Sequence, residues 1–130
     1  MTRILAVDPG DVRIGLAVSD PTRTIAQPLR VLKHTSRDTN ARQIHKIATK
    51  LQATEIVVGI ALDLDGEIGP QARKALRLVR ALREHGNLPV HTWDETGSTQ
   101  IASKGLAQAD PLDARAAAVI LQEFLDAQKG

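Results

Sequence analysis

Four acidic residues stand where their neighbours give an acid something to explain. Asp8 closes the run RILAVD over 3–8, which is otherwise nearly all apolar after Arg3. An ionised carboxylate at the end of a buried strand is costly unless it is paired, hydrogen-bonded or bound to a metal. Asp94 and Glu95 follow directly on the short β-prone run Pro89–Trp93. Asp113 falls on one helical stripe with Ala117, Ile120 and Phe124, so the helix period sets it among core-facing positions. Each acid also has a structural reading. Asp8 can cap the turn Asp8-Pro9-Gly10-Asp11, and Asp94 or Glu95 can cap a helix that follows. Asp113 can sit at N3, behind Asp110 as N-cap and Pro111 at N1. Taken together, carboxylates from three separate segments suit hard, oxygen-liganded Mg²⁺ or Mn²⁺. One or two such ions would serve phosphodiester hydrolysis by activating water and stabilising the leaving oxygen.

Other chemistries find little support. The 130 residues contain no cysteine, which removes thiolate metal sites, disulfides and cysteine nucleophiles together. His34, His45, His85 and His91 lack HxH or HxxxH spacing and read as surface or strand-end residues. Phe124 and Trp93 are the only aromatic residues, too few for a binder that stacks bases on aromatic platforms. A nucleic-acid partner would then be held by phosphate contacts and a metal. Arg73, Arg77 and Arg80 share a helical stripe suited to such contacts, although a solvated face explains them equally simply. The net charge of +2 adds little either way.

The elements that must position these residues follow from hydrophobic period. Residues 3–8 read as a strand buried on both faces. Val12–Asp20 alternates, with Val12, Ile14, Leu16 and Val18 on one face, and reads as its hairpin partner. Residues 24–33 form a third strand near an edge, because Pro28 cannot donate to a ladder. The period then changes to helical over about 40–52, with Asp38 or Thr39 as N-cap. Glu55–Ile60 is a second apolar strand, and the intervening helix favours a parallel partner in the sheet interior. A helix over 70–85, a strand over Pro89–Trp93, and helices over about 98–105 and 111–127 complete the order βββαβαβαα. The strand ending at Asp8 is expected at the centre of the sheet, and the acidic residues at the edge where parallel strands end.

The run Asp8-Pro9-Gly10 with Arg13-Ile14-Gly15-Leu16-Ala17-Val18, then Val57-Val58-Gly59 with Asp65-Gly66, the pair Asp94-Glu95, and Asp113 with Ala116-Ala117-Val119-Ile120-Leu121-Gln122 resemble the YqgF (RuvX) family, in order and over essentially the whole chain. The resemblance implies an α/β, ribonuclease H-like fold in which an antiparallel three-strand meander and two parallel strands form a five-stranded mixed sheet flanked by helices. It assigns metal binding to Asp8, Glu95 and Asp113, with Asp94 as a further candidate donor. It implies a hydrolase acting on nucleic acid, in small-subunit ribosomal RNA precursor processing or, as in Holliday junction resolvases of the RuvC type, on branched DNA. Arg13, within the first motif, joins Arg73, Arg77 and Arg80 as a candidate phosphate contact. The chain departs from the family in having Thr96 rather than arginine after Asp94-Glu95, Gly59-Ile60-Ala61 in place of Gly-x-Pro, and only Leu106 to Asp110 between the last two helices.

Two other function classes compete. Actin-like ATPases and sugar kinases share features of the first hairpin but close two such domains over a nucleotide, and 130 residues are expected to make one domain, 1–130. A catalytically silent RNA- or ribosome-binding module would keep the fold without turnover. No run approaches the roughly 18 to 20 apolar residues that span a bilayer, and the apolar run after Met1 is short for a signal peptide. A cytoplasmic protein with no membrane partner is therefore expected. RNA precursor and branched or single-stranded DNA remain open as substrates, and monomer or homodimer as assembly.

Overall fold

The computed structural model describes residues 2–94 and 112–129. Its elements are β1 (Arg3–Asp8), β2 (Arg13–Ser19), β3 (Ala26–Lys33), α1 (Arg37–Lys50), β4 (Ala53–Ile60), α2 (Pro70–Glu84), β5 (Val90–Asp94) and α3 (Leu112–Lys129). The five strands form one sheet in the order β3-β2-β1-β4-β5. β1 is central, antiparallel to β2 and parallel to β4, as the sequence predicts. β5 adds in parallel outside β4, and β3 takes the edge expected from Pro28. Leu16 pairs with Arg30 and Ala17 with Pro28, so the ladder slips by one residue at Leu29, beside the proline that has no N–H to give. The helix expected over about 98–105 lies outside the described residues.

Strand alternation divides the core between two faces. Leu5, Val7, Ile14, Leu16, Ile56, Val58 and Val90 pack under α1 and α2. Ile4, Ala6, Ala17 and Val57 pack under α3, against Ala117, Leu121, Phe124 and Leu125. β1, β2 and β4 are thus covered on both sides, which is why their central residues are apolar or small without a polar alternate.

Side chains fix where the connections run. α1 begins three residues earlier than its period suggests: the N-cap is Ser36, whose Oγ accepts from the Thr39 N–H, rather than Asp38 or Thr39. Asp38 instead enters the first turn and reaches His85 at the end of α2, 2.9 Å away. Buried Asn40 accepts from the Thr35 N–H and donates to the Lys33 carbonyl, binding the end of β3 to α1. The β4–α2 connection turns at Gly66, with φ +77°, where Asp63 Oδ1 accepts from the Asp65 and Glu67 N–H groups. Pro70 then opens α2 at its first position, where a missing N–H costs nothing.

At the sheet edge where β1 begins, Arg23 ties the β2–β3 turn to β4. It adopts φ 59°, donates to Glu55 Oε2 at 2.5 Å and to Thr54 Oγ1 at 2.9 Å, and hydrogen-bonds Thr2. His91 completes the brace from β5, with Nε2 2.8 Å from Glu55 Oε1. These bonds offset the roughly 1–3 kcal/mol that a left-handed non-glycine residue costs.

Candidate active site

Asp8 is the last residue of the central strand and is half-buried. It continues the row of Ile4 and Ala6, so it belongs to the face covered by α3. Its neighbours in the two adjoining strands are glycines. Gly15 is its register partner in β2. Gly59 follows Val58, the partner of Val7, in β4. With neighbouring strands only about 4.8 Å apart, a side chain at either position would stand directly beside the carboxylate. Among the three central strands, Asp8 is thus the one residue of this row that carries a side chain.

The helix α3 runs back along β1. Its Gln122 accepts from the Ala26 N–H and donates to the Thr24 carbonyl, both at 3.0 Å. Ala26 pairs with Ser19, whose hydroxyl accepts from the Ile4 N–H at 2.9 Å, so Gln122 lies near the level where β1 begins. From 122 back to 113 a helix rises about 14 Å, and from Ile4 to Asp8 a strand advances about 13 Å. The first turn of α3, which holds Asp113, therefore starts at the edge where β1 ends. Position 113 is one helical row ahead of Ala117, which is fully buried against the β1 face. The side chain of Asp113 lies outside the described residues.

Asp94 ends β5 on the same sheet edge, paired with Ile60. Alternation sets it in the row of Val90, which packs under α1 and α2, whereas His91 and Trp93 take the α3 side against Phe124. Asp8 and Asp94 thus share an edge and belong to opposite faces. Glu95 lies outside the described residues. Arg13 begins β2 two residues before Gly15, which makes it a cation on the rim of the Asp8 face, and it is exposed. Arg77 and Arg80 line clefts on the opposite face, while Arg73 is exposed on α2 away from them. His34 and Arg37, which the sequence alone did not single out as binding residues, line the same clefts. Their signal was the position of α1 rather than any motif.

The turn between β1 and β2 holds one position that only glycine can fill. A Cβ on Gly10 would lie 2.3 Å from the Arg13 carbonyl oxygen, so the chain folds over itself immediately after Asp8. Lys74 of α2 anchors this turn through Asp11, at 2.8 Å.

A central strand ending in a half-buried acid, an antiparallel meander on one side and parallel strands on the other define a ribonuclease H-like fold of the kind found in RuvC. The structure of RuvC from T. thermophilus, solved in complex with Holliday junction substrate, superposes with a TM-score of 0.61 over 100% of this chain and 97% of that one, at 18% identity. The chain belongs to the RuvX family, described as Holliday junction resolvase, whose profile matches residues 2–127. Among curated relatives, a protein of Desulforamulus reducens is 37% identical over 95% of this chain and 96% of its own. Another, from Thermoanaerobacter pseudethanolicus, is 35% identical over 98% of each. Both carry the name "Putative pre-16S rRNA nuclease".

Proposed function

We propose that this protein is a divalent-metal-dependent nuclease that hydrolyses phosphodiester bonds in precursors of small-subunit ribosomal RNA. The observation that carries the proposal is Asp8 at the end of the central strand, with Gly15 of β2 and Gly59 of β4 as its neighbours across the sheet. The donor set fits the metal: the chain offers carboxylates and no thiolate, and hard Mg²⁺ or Mn²⁺ takes oxygen ligands. Asp8, Glu95 and Asp113 would hold one or two such ions, with Asp94 as a further donor. When bound, the metal supplies an activated water and stabilises the leaving oxygen. β1 would hold the Asp8 carboxyl at a fixed point at the end of the central strand, and Arg13 offers a phosphate contact on the rim of the same face. Substrate of the ribosomal class is favoured by the names of the curated relatives, at 35–37% identity over nearly the whole chain.

A side-by-side assay with Mn²⁺, using labelled pre-16S ribosomal RNA, a four-way DNA junction and single-stranded DNA, tests the substrate. Site-specific cleavage of the RNA with weaker or no junction cleavage is expected. Preferential, symmetric cutting of the junction would replace the ribosomal reading with resolvase activity, and no cleavage of any substrate would favour a silent binding module.

A further inference from the structure

On the face of the sheet opposite Asp8, two clefts of about 590 and 440 Å³ share His34, Arg37 and Arg77 along their lining and so form one continuous groove. The groove starts at the Pro9–Asp11 turn, immediately after Asp8, and runs between the start of α1 and the outer face of α2 to Arg80. Among the described residues, Arg37, Arg77 and Arg80 make no side-chain hydrogen bond or ion pair. Two of the three acids in the groove are already engaged: Asp11 by Lys74 at 2.8 Å and Asp38 by His85 at 2.9 Å. Glu84 is the third and lies at the far end, in the last turn of α2. The walls are fixed. Asn40 binds the β3–α1 connection, and His45 Nε2 sits 2.6 Å from the Leu82 carbonyl across the α1–α2 contact.

We propose that this groove is a phosphate track, which holds the sugar–phosphate backbone of one nucleic-acid strand and leads it over the Pro9–Asp11 turn to the Asp8 edge. Three guanidiniums that make no hydrogen bond or ion pair among the described residues, on two packed helices and along one channel, match an extended polyanion; a guanidinium binds phosphate through paired N–H donors. Among the described residues, His34 is the only aromatic ring in the groove lining, since Phe124 and Trp93 are on the α3 side. It therefore grips chiefly phosphates, with at most one ring to stack on a base, and binding there is strongly salt-dependent and largely indifferent to sequence. This inference rests on the nucleic-acid substrate proposed above, but it does not require that cleavage occurs.

Fluorescence anisotropy of a labelled single-stranded RNA, and of DNA of the same sequence, measured in EDTA over a range of salt, isolates binding from catalysis. Losing three phosphate contacts should lower the slope of log affinity against log salt by about 2 for a single strand. The triple variant Arg37→Gln/Arg77→Gln/Arg80→Gln is expected to show that drop and at least tenfold weaker binding at low salt, equally for RNA and DNA. Lys46→Gln/Lys50→Gln, which removes exposed charge of α1 outside the groove, should leave the slope within one contact of wild type. Unchanged slope in the triple variant, an equal loss in the control pair, or no binding by wild type would overturn the track. A binding loss without any cleavage by wild type would leave the track standing and sink the nuclease reading. Normal cleavage with unchanged binding in the triple variant would do the reverse.

Discussion

At the scale of single residues, the acid and the glycines beside it form one device. Gly15 is buried, and its partner in the ladder is Asp8. A β-branched side chain suits a strand, so Gly15→Val is expected to keep the sheet paired while filling the space next to the carboxylate. Calorimetric titration with Mn²⁺ should show affinity weakened at least tenfold, with circular dichroism unchanged. Wild-type Mn²⁺ affinity in this variant would mean that the space beside Asp8 does not serve a metal. Asp8 itself was legible in the sequence, because an acid at the end of an apolar run needs a cause. The flanking glycines stand in the sequence as members of two short motifs, yet their position beside Asp8 depends on strand register, which a one-residue slip would reverse. Asp94 shows the same limit. Its adjacency to a strand end was visible, but its membership of the opposite face from Asp8 follows only from the observed pairing of β5 with β4.

Among the elements, hydrophobic period located every described strand and helix within a few residues, because each buried face repeats at 2 or 3.6. The misses have local causes. The start of α1 moved to Ser36 because its hydroxyl caps Thr39, while Asp38 is drawn to His85. The groove was not legible, since Arg37 and Arg77 are 40 positions apart in sequence and meet only when α1 packs beside α2. The brace at the far edge was equally hidden: Arg23, Glu55 and His91 belong to a turn and two strands. Burial pushes the Glu55 carboxyl up, but the bonds from His91 and Arg23 outweigh it, and the net pKa lies below the ordinary 4.5. A carboxylate with a depressed folded pKa contributes stability that is present above its unfolded value and lost as pH falls through the folded one. The brace should therefore support the fold at neutral pH and fail in acid. Glu55→Gln is expected to lower Tm at pH 7 and to flatten the decline of Tm below pH 4.5. Equal acid sensitivity in variant and wild type would assign the decline to other carboxylates.

For the whole molecule, the two ends of β1 differ in what they carry. The N-terminal edge of β1 carries the Arg23–Glu55–His91 brace, and the other edge carries Asp8, the start of α3, the glycine turn and the mouth of the basic groove. Among the described residues, no helix is long and apolar enough to cross a membrane. If the acidic edge performs metal-dependent phosphodiester hydrolysis, the rate of pre-16S RNA cleavage with Mn²⁺ must differ sharply between wild type and Asp8→Asn. Asparagine preserves the size of the side chain and its capacity to accept hydrogen bonds in the turn, but it removes the charge that attracts a cation. Wild type is expected to cleave with Mn²⁺ and stop in EDTA, and Asp8→Asn to lose at least a hundredfold in rate, about 2.7 kcal/mol of transition-state stabilisation, with its RNA binding intact. Cleavage that persists in EDTA, or that proceeds at the wild-type rate in Asp8→Asn, would mean that this edge is not a metal-dependent active site.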